Sequence, residues 1–508
     1  MQQANSLPYV QFRRRLYFVI VGLVTFSIYL LWEVASFQWL SPEVISYMDT
    51  LRNSNYTRTL ELAAARGLIY DRHGEIMAVN TLEYEIGISP NLVTNARQTA
   101  TALAPLIGRP ELEVFELVTA NRPWVSLARP VSAEVAQQIT QLGLQGVTID
   151  PIPRRSYPQG TLAAQVLGFV NLDLKGNYGV EGYYQDQMAG QIRDRRVSTI
   201  PFEVPQSGWE QHHGRDLILT IDRDIQFLAE SQLLSAINST GAQSGTIIIM
   251  NPRNGEVLAM ANYPSYDPNT FYEVEDPNLL SNPAISSQYE PGSVMKVLTV
   301  AAALEKGTIT PQWTYYDEAQ INVGGVTVRN WDRAAHGNVD VTQVLVQSLN
   351  VGVATISTMM GPTDFYNMLD AFGIGRRTGI DLQGEASGTL YVPGDAHWSE
   401  SNLATNSFGQ GLAVTPIQML TAINAIANGG LMMQPHVVRE IRDGERVYVS
   451  QPAALGRPIS AETARIVTDM MVTTVRDGLD QASVDGYTIA GKSGTAEIPS
   501  PVGYEPNA

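Results

Sequence analysis

The chain contains 508 residues, a length that predicts about three domains at roughly 150 residues per domain. Its 33 basic and 50 acidic residues give a formal net charge of −17, which argues against a protein that mainly binds nucleic-acid phosphates. The absence of cysteine excludes disulfides, thiolate zinc sites and cysteine nucleophiles. Few of the basic residues are lysines, so each lysine is a candidate for chemistry that needs an amine able to lose its proton: Lys175, Lys296, Lys306 and Lys492.

The N-terminal region predicts a single membrane anchor. Residues 16–36 are almost wholly apolar, with Glu33 as their only charge, and are long enough to cross a bilayer as a helix. Three arginines at positions 13–15 precede them, so the positive-inside rule predicts that residues 1–15 lie in the cytoplasm and the rest of the chain outside it. The alternatives are a cleaved signal peptide and a buried helix, but the run is longer than the apolar core of a usual signal peptide.

The remaining sequence predicts two domains, at residues 37–214 and 215–508. In the first, residues 66–75 read as a strand, a turn and a strand, and two short helices at 96–104 and 111–120 are expected to be broken by proline and glycine. Near residue 215 the pattern changes to strands followed by many helices, which is typical of an α+β domain. The predicted elements after this boundary are a strand at 217–221, a helix at 223–235 capped by Asp222, strands at 245–250 and 255–260, and a final strand at 487–490.

The first chemical motif is a serine followed three residues later by a lysine. Ser293 and Lys296 open a predicted helix that Gly307 ends, and residues at this spacing share one helix face. A serine hydroxyl becomes a strong nucleophile when a neighbouring base takes its proton, and a desolvated lysine beside another cation can be that base. Taken alone, the motif is also compatible with an ordinary helix N-terminus.

Two further motifs follow in the sequence. Ser348 and Asn350 would direct a hydroxyl and an amide into one cleft, although this pattern is weak, because residues 89–91 match it as well. Residues 492–495, Lys-Ser-Gly-Thr, follow an apolar run and could bind a substrate carboxylate and main chain. The same region, residues 486–493, also satisfies the P-loop pattern, but prolines at 499 and 501 stand where a P-loop needs a helix.

Other catalytic classes lack their motifs. The six histidines include no H-E-x-x-H pattern, so the sequence does not predict a hydrolytic zinc site. There is also no G-x-S-x-G pattern, which leaves a hydrolase nucleophile elbow unsupported.

In this order the three motifs resemble the active-site motifs of penicillin-binding proteins and serine β-lactamases. Residues 289–293, 262–269, 372–385 and 407–416 are most similar to class B penicillin-binding proteins, and among these to the division-type transpeptidases. Residues 66–74, 155–158 and 179–182 resemble the non-catalytic pedestal domain of the same family. The resemblance implies a transmembrane helix, a mostly β or mixed pedestal, and a transpeptidase domain with an antiparallel sheet and helices.

The resemblance also implies a role for each residue of the motifs. Ser293 would attack a D-Ala-D-Ala stem peptide to form an acyl-enzyme, with Lys296 as base and Ser348 and Lys492 as proton carriers to the leaving amine. The substrate amide and carboxylate would be bound by Asn350, Ser493, Gly494 and Thr495. A second stem peptide would then take the acyl group and form a cross-link. No metal or organic cofactor is implied.

The expected partners are peptidoglycan stem peptides, β-lactams and the inner membrane, together with a membrane glycan polymerase and division proteins. One departure from the family is that its later strands and C-terminal helix are not found before Ala508, which predicts a truncated transpeptidase domain. Two alternative functions remain at this point. One is a non-catalytic envelope scaffold or β-lactam sensor that acylates only, and the other is a β-lactamase, against which the anchor and the long pedestal argue.

Overall fold

The computed structural model describes residues 7–38, 57–62, 65–190, 193–198, 213–496, 499–500 and 503–504. The chain forms two compact units, one made of residues 1–64 and 191–211 and the other of residues 65–190 and 212–508. The elements up to residue 198 are α1 Leu7–Gln38, β1 Thr57–Leu62, β2 Ile69–Tyr70, β3 Ile76–Ile88, α2 Ala96–Ile107, α3 Glu111–Val118, β4 Val125–Val131, α4 Ala133–Gln141, β5 Val147–Ser156, α5 Ala164–Leu167, β6 Phe169–Val170, β7 Gly176–Asn177, α6 Gly179–Tyr183, α7 Gln185–Met188 and β8 Arg193–Ser198.

The elements that follow carry most of the helices of the second unit. A short 3₁₀ turn, Gly292–Val294, lies directly before the helix that begins at Met295. The elements after residue 198 are β9 Asp216–Leu219, α8 Arg223–Thr240, β10 Gly245–Met250, β11 Val257–Tyr263, α9 Pro283–Ser286, α10 Met295–Glu305, β12 Thr314–Asp317, β13 Gln320–Val323, β14 Val326–Arg329, β15 Gly337–Asp340, α11 Val341–Val346, α12 Asn350–Ala371, α13 Glu400–Ser407, α14 Pro416–Ala427, β16 Met432–Met433, β17 Val438–Asp443, β18 Arg446–Val449, β19 Ala454–Gly456, α15 Ala461–Gly478, β20 Pro499–Ser500 and β21 Gly503–Tyr504.

The first unit contains the predicted anchor helix. Within α1, residues Phe12–Val34 are a candidate membrane span of 23 residues, in which an 18-residue window has a mean hydropathy of 1.9 and no residue is buried. An apolar helix of this length matches the thickness of a hydrocarbon core, so it fits a single-pass membrane anchor. In the same unit, β1 and β8 pair antiparallel, from Thr57 opposite Ser198 to Leu62 opposite Arg193.

The second unit is built on a seven-stranded mixed sheet. Six strands follow the order β18-β17-β9-β2-β3-β4, and β5 also pairs with β3. The pairing of β2 with β9 is parallel, while the other pairs of this sheet are antiparallel. The strand predicted at 217–221 is therefore confirmed as β9, and it joins strands from both sides of residue 215 into one sheet.

Helices α2, α3 and α4 cover the part of this sheet formed by β3, β4 and β5. Their buried side chains form one apolar cluster with those of the strands, including Leu103, Val114 and Ile139. Both helices predicted before residue 120 are present, but Pro105 lies inside α2 instead of ending it. Pro105 has no N–H to donate, so α2 lacks one main-chain hydrogen bond there, and Gly108 with a φ of +67° ends the helix in the left-handed conformation.

The helical part of the second unit surrounds α10. Nine consecutive residues of this helix, from Met295 to Ala303, are buried, and they pack into the largest apolar cluster together with α12, α14 and α15. Helix α8 begins after Asp222, whose carboxylate accepts hydrogen bonds from the amides of Asp224 and Ile225, so the predicted cap is confirmed. A helix buried on every side can hold its first turn rigidly, which fixes the position of the side chains that follow residue 292.

The strand predicted at residues 487–490 is wrong. These residues form no strand pair, and Tyr487 is 76% exposed. The amide of Gly491 donates instead to the main-chain oxygen of Met471 on α15, at 3.4 Å. A short, mostly apolar run does not by itself distinguish a strand from an irregular segment. Whether it forms a strand depends on which main-chain groups are close enough to pair.

Candidate active site

The turn that carries Ser293 depends on glycine at position 292. Gly292 has a φ of +56°, a conformation that side chains disfavour, and a Cβ there would lie 2.5 Å from the main-chain oxygen of Thr495. The amide of Gly292 donates to the main-chain oxygen of Gly409 at 3.2 Å. The turn is thus held between two other segments of the chain, and α10 begins directly after it.

Lys296 lies one helical turn after Ser293 and is completely buried. Its Nζ donates to the main-chain oxygen of Ser348 at 2.6 Å and to Ser348 Oγ at 3.1 Å. Burial, and secondarily the nearby positive charge of Lys492, hold the pKa of Lys296 well below its usual value of 10.5. The amine of Lys296 therefore loses its proton more easily than that of an ordinary lysine.

The side chain of Ser293 itself is partly buried. Within the described part of the chain, no hydrogen bond joins its Oγ to Lys296 Nζ. The two residues share a face at the start of the helix, one turn apart. Catalytic hydrogen bonds are often long in proteins without substrate and shorten in the complex.

The second motif connects helices α11 and α12. Ser348 adopts a φ of +57°, which is unfavourable for a serine and is maintained only where the surroundings enforce it. Asn350 is the first residue of α12, and its Nδ2 donates to the main-chain oxygen of Arg329 at 2.9 Å. The structure therefore places Ser348 against Lys296, and Asn350 beside Ser348.

The third motif lies against the Ser293 turn. A Cβ on Gly494 would be 2.8 Å from Val294 Cγ2 and 3.2 Å from the main-chain oxygen of Pro291, so a larger residue would crowd this contact. Lys492 Nζ donates to the main-chain oxygen of Ser493 at 3.0 Å, and burial lowers its pKa to about 8. The side chains of Ser493 and Thr495 are exposed. All three motifs thus converge on the N-terminal end of α10.

This arrangement disfavours the P-loop alternative. Residues 491–496 are irregular in the structure, and no helix follows Ser493 in the residues that are described. A P-loop needs a helix N-terminus directly after its lysine and serine, because the main-chain amides there bind the phosphates.

Residues 155–158 and 179–182, which resemble the pedestal motifs, form a buried network instead of a site. Glu181 is fully buried and accepts hydrogen bonds from Arg66 Nε at 2.6 Å and Arg155 Nε at 2.7 Å. The main chain of Tyr157 exchanges hydrogen bonds with the side chain of Asn269, at 2.9 and 3.0 Å. These residues hold the strand β5 against the segment that precedes the Ser293 turn, so their role is structural.

Sequence reasoning did not single out two polar residues that lie beside the second motif. Asn330 and Asp317 are both buried, at 2% and 0% exposure, and they are joined by a hydrogen bond of 2.8 Å. In the sequence they look like ordinary residues of turns between short strands, and no fixed spacing connects them with Ser348. Only the folded structure shows that both side chains are buried and in contact.

A model of the penicillin-binding protein transpeptidase domain matches residues 245–507, and a model of the penicillin-binding protein dimerisation domain matches residues 61–200. Stage V sporulation protein D of Bacillus subtilis is 32% identical over 503 residues, which cover 96% of this chain and 77% of that protein. Peptidoglycan D,D-transpeptidase FtsI of Escherichia coli is 30% identical over 489 residues, covering 94% of this chain and 80% of that protein.

Two solved structures are also similar to this chain. Penicillin binding protein 3 of Mycobacterium tuberculosis, in a complex with aztreonam, has a TM-score of 0.66 and 30% identity, covering 87% of this chain and 83% of that chain. A peptidoglycan synthetase of Bifidobacterium adolescentis has a TM-score of 0.68 and 28% identity, covering 87% and 86%. The chain therefore belongs to the penicillin-binding protein transpeptidase family, as a division-type class B member.

Proposed function

We propose that this chain is a membrane-anchored serine D,D-transpeptidase that cross-links peptidoglycan stem peptides through an acyl-enzyme and is acylated by penicillin. The observation that carries the proposal is the completely buried Lys296, whose amine contacts Ser348 and lies one helical turn from Ser293. The named transpeptidases among its relatives support the same activity and do not favour a silent scaffold.

The first step forms the acyl-enzyme. The neutral amine of Lys296 takes the proton of Ser293 Oγ, and the oxygen attacks the carbonyl carbon between the two D-alanines of a donor stem. The negative charge that develops on the carbonyl oxygen is stabilised by the main-chain N–H groups of Ser293 and Thr495. The C–N bond then breaks, and an ester joins the donor to Ser293.

Two side chains deliver a proton to the leaving amine. Ser348 Oγ is hydrogen bonded to Lys296 Nζ, so the proton taken from Ser293 can pass through Ser348 to the terminal D-alanine. Lys492 is the second proton carrier in this proposal, and its positive charge also supports the transfer. In the second step the amine of another stem attacks the ester and loses a proton to the restored base. The products are the cross-linked peptide and free Ser293.

Substrate binding is assigned to the partly buried Asn350 and Lys492 and to the exposed Ser493, Gly494 and Thr495. The side-chain amide of Asn350 holds the donor amide, and the hydroxyls of Ser493 and Thr495 bind its terminal carboxylate. Gly494 permits the donor main chain to approach this segment closely. Lys492 adds a positive charge that complements the carboxylate.

The topology follows from α1 and from the three arginines at positions 13–15, which precede its uncharged apolar run. Residues 1–15 face the cytoplasm and the domains at 37–214 and 215–508 lie on the other side of the inner membrane, where peptidoglycan is assembled. The division-type relatives support a role in septation, with a membrane glycan polymerase and division proteins as partners. A reporter that is active only outside the cytoplasm should be active when fused after residue 215 and inactive when fused before residue 13.

The test of the proposal is covalent labelling by a fluorescent penicillin. The wild-type protein should be labelled, and Ser293→Ala should not, while the control Ser287→Ala should be labelled normally, because Ser287 is an exposed serine six residues earlier. A folded wild-type chain without label would contradict the proposal. Incubation with donor and acceptor stem peptides then distinguishes a transpeptidase, which yields a cross-linked product, from a sensor, which does not.

A further inference from the structure

Four short strands, β12 to β15, lie between α10 and α11 and bring two buried polar side chains close to the second motif. Asp317 ends β12, and Asn330 directly follows β14. Polar groups that are this deeply buried are stable only when their hydrogen bonds are made. The partners of these two side chains therefore show what the segment holds in place.

Both the oxygen and the nitrogen of the Asn330 side-chain amide form hydrogen bonds. Its Oδ1 accepts a hydrogen bond from the amide of Val351 at 3.2 Å, and its Nδ2 donates to Asp317 Oδ2 at 2.8 Å and to the main-chain oxygen of Ala334 at 3.2 Å. Val351 is the second residue of α12 and lies three residues after Ser348. Its amide is one of the N-terminal helix groups that have no partner within the helix.

The carboxylate of Asp317 accepts two further hydrogen bonds. Its Oδ2 also accepts the amide of His336 at 3.0 Å, and its Oδ1 accepts the hydroxyl of Tyr315 at 3.2 Å. The carboxylate therefore cannot turn away from Asn330 without breaking these contacts. It sets the orientation of the Asn330 amide, whose two ends are chemically different.

The neighbours of Asn330 contact the same motif. The main-chain oxygen of Arg329 accepts from Asn350 Nδ2, and Trp331 Nε1 donates to the main-chain oxygen of Gln347 at 3.1 Å. Three consecutive residues, 329–331, thus contact the residue directly before Ser348 and the residues two and three positions after it. This matters because Ser348 has a φ of +57° and its main-chain oxygen accepts from Lys296.

We propose that Asn330 is a positioning residue for acylation, which holds the strained Ser348 turn against Lys296 and is itself oriented by Asp317. The inference rests on the function proposed for Ser293, Lys296 and Ser348. Asn330 does not touch substrate. It acts by keeping the oxygen atoms of Ser348 where the amine of Lys296 needs them.

The experiment measures penicillin acylation by stopped flow, which separates the non-covalent Kd from the first-order acylation rate constant. Asn330→Ala should lower the rate constant about tenfold, the effect of one lost orienting hydrogen bond, with little change in Kd. Asn330→Asp should also lower it, because the new carboxylate keeps the acceptor for Val351 but faces Asp317. The charge-swapped pair, Asn330→Asp with Asp317→Asn, should recover part of the rate.

The matched control is Asn322→Ala. Asn322 is an exposed asparagine on β13 whose side chain accepts a hydrogen bond from Thr327, and the variant should acylate as the wild type does. The inference is overturned if folded Asn330 variants keep the wild-type rate constant, if only Kd changes, or if the swapped pair recovers nothing beyond Asn330→Asp. If Asn330→Ala does not fold, the test is the comparison of the acylation rate constants of the swapped pair and of Asn330→Asp. A wild-type protein that captures no penicillin would instead contradict the proposed function.

Discussion

The amine of Lys296 donates to both oxygen atoms of Ser348, the main-chain oxygen at 2.6 Å and Oγ at 3.1 Å. A neutral amine has two N–H groups and one lone pair. If both N–H groups point at Ser348, the lone pair is free to accept the proton of Ser293. The turn at Ser348 thus orients the base as well as carrying a proton, which explains why its strained conformation is useful.

The acylation rate should depend on the titration of two lysines, Lys296 and Lys492. Burial and the charge of Lys492 hold the pKa of Lys296 well below 10.5, and only the neutral amine is a base, so the acylation rate should rise with pH through that lowered pKa. Burial lowers the pKa of Lys492 to about 8, so its charge and the rate should decrease above that pH. Lys492→Arg should move the alkaline limb upward, because arginine keeps its charge. An alkaline limb that stays in place would argue against Lys492 as its cause.

Ser348→Ala should separate the two roles of this residue. The substitution removes Oγ but keeps the main-chain oxygen that accepts from Lys296, so the fold and the position of the amine should persist. We expect acylation to be slowed about 10²- to 10⁴-fold, the usual range for losing a proton-transfer group. Stopped-flow acylation combined with a thermal unfolding scan tests this. A rate near that of the wild type would show that the leaving amine receives its proton without Ser348.

Two glycines at the ends of α10 offer a matched comparison. Both have positive φ, but a Cβ on Gly292 would lie 2.5 Å from Thr495 O, whereas a Cβ on Gly307 has nothing within 4 Å. Alanine at either position costs about 1–2 kcal/mol of conformational strain. Only Gly292→Ala should also displace the 492–495 segment and reduce acylation, by at least about tenfold. Equal acylation by the two variants would mean that contact with this segment is not needed.

The buried Glu181 should be essential for stability. Glu181→Ala leaves Arg66 and Arg155 buried without their carboxylate, and breaking such a network costs about 3–5 kcal/mol. We expect a clearly lower midpoint of thermal unfolding. Glu113→Ala, which breaks the exposed ion pair with Arg109, should change the midpoint little. Similar shifts for both variants would contradict the structural role assigned to Glu181.

Local features of the fold were predictable because they depend on neighbouring residues. The anchor helix, the strand β9, the capped helix α8 and the first turn of α10 follow from apolar periodicity, from Asp222 and from the glycines that bound them. The convergence of the three motifs was predicted from resemblance to a family, because no local pattern brings residue 492 next to residue 292.

Long-range contacts account for what the sequence did not predict. The segment at 487–490 has the composition of a strand, but its conformation depends on which main-chain groups are nearby. The Asp317–Asn330 pair is visible only as two buried side chains in contact. The left-handed conformation of Ser348 also has no local signature, since serine rarely adopts it without outside constraint.

The most direct test of the account is the acylation rate of Lys296→Met. Methionine has a similar length and is apolar, so it fits a completely buried position but cannot accept a proton. In protein shown to be folded by circular dichroism, we predict that penicillin labelling of Ser293 falls by several orders of magnitude. Labelling at the wild-type rate would contradict the claim that the buried amine activates the serine.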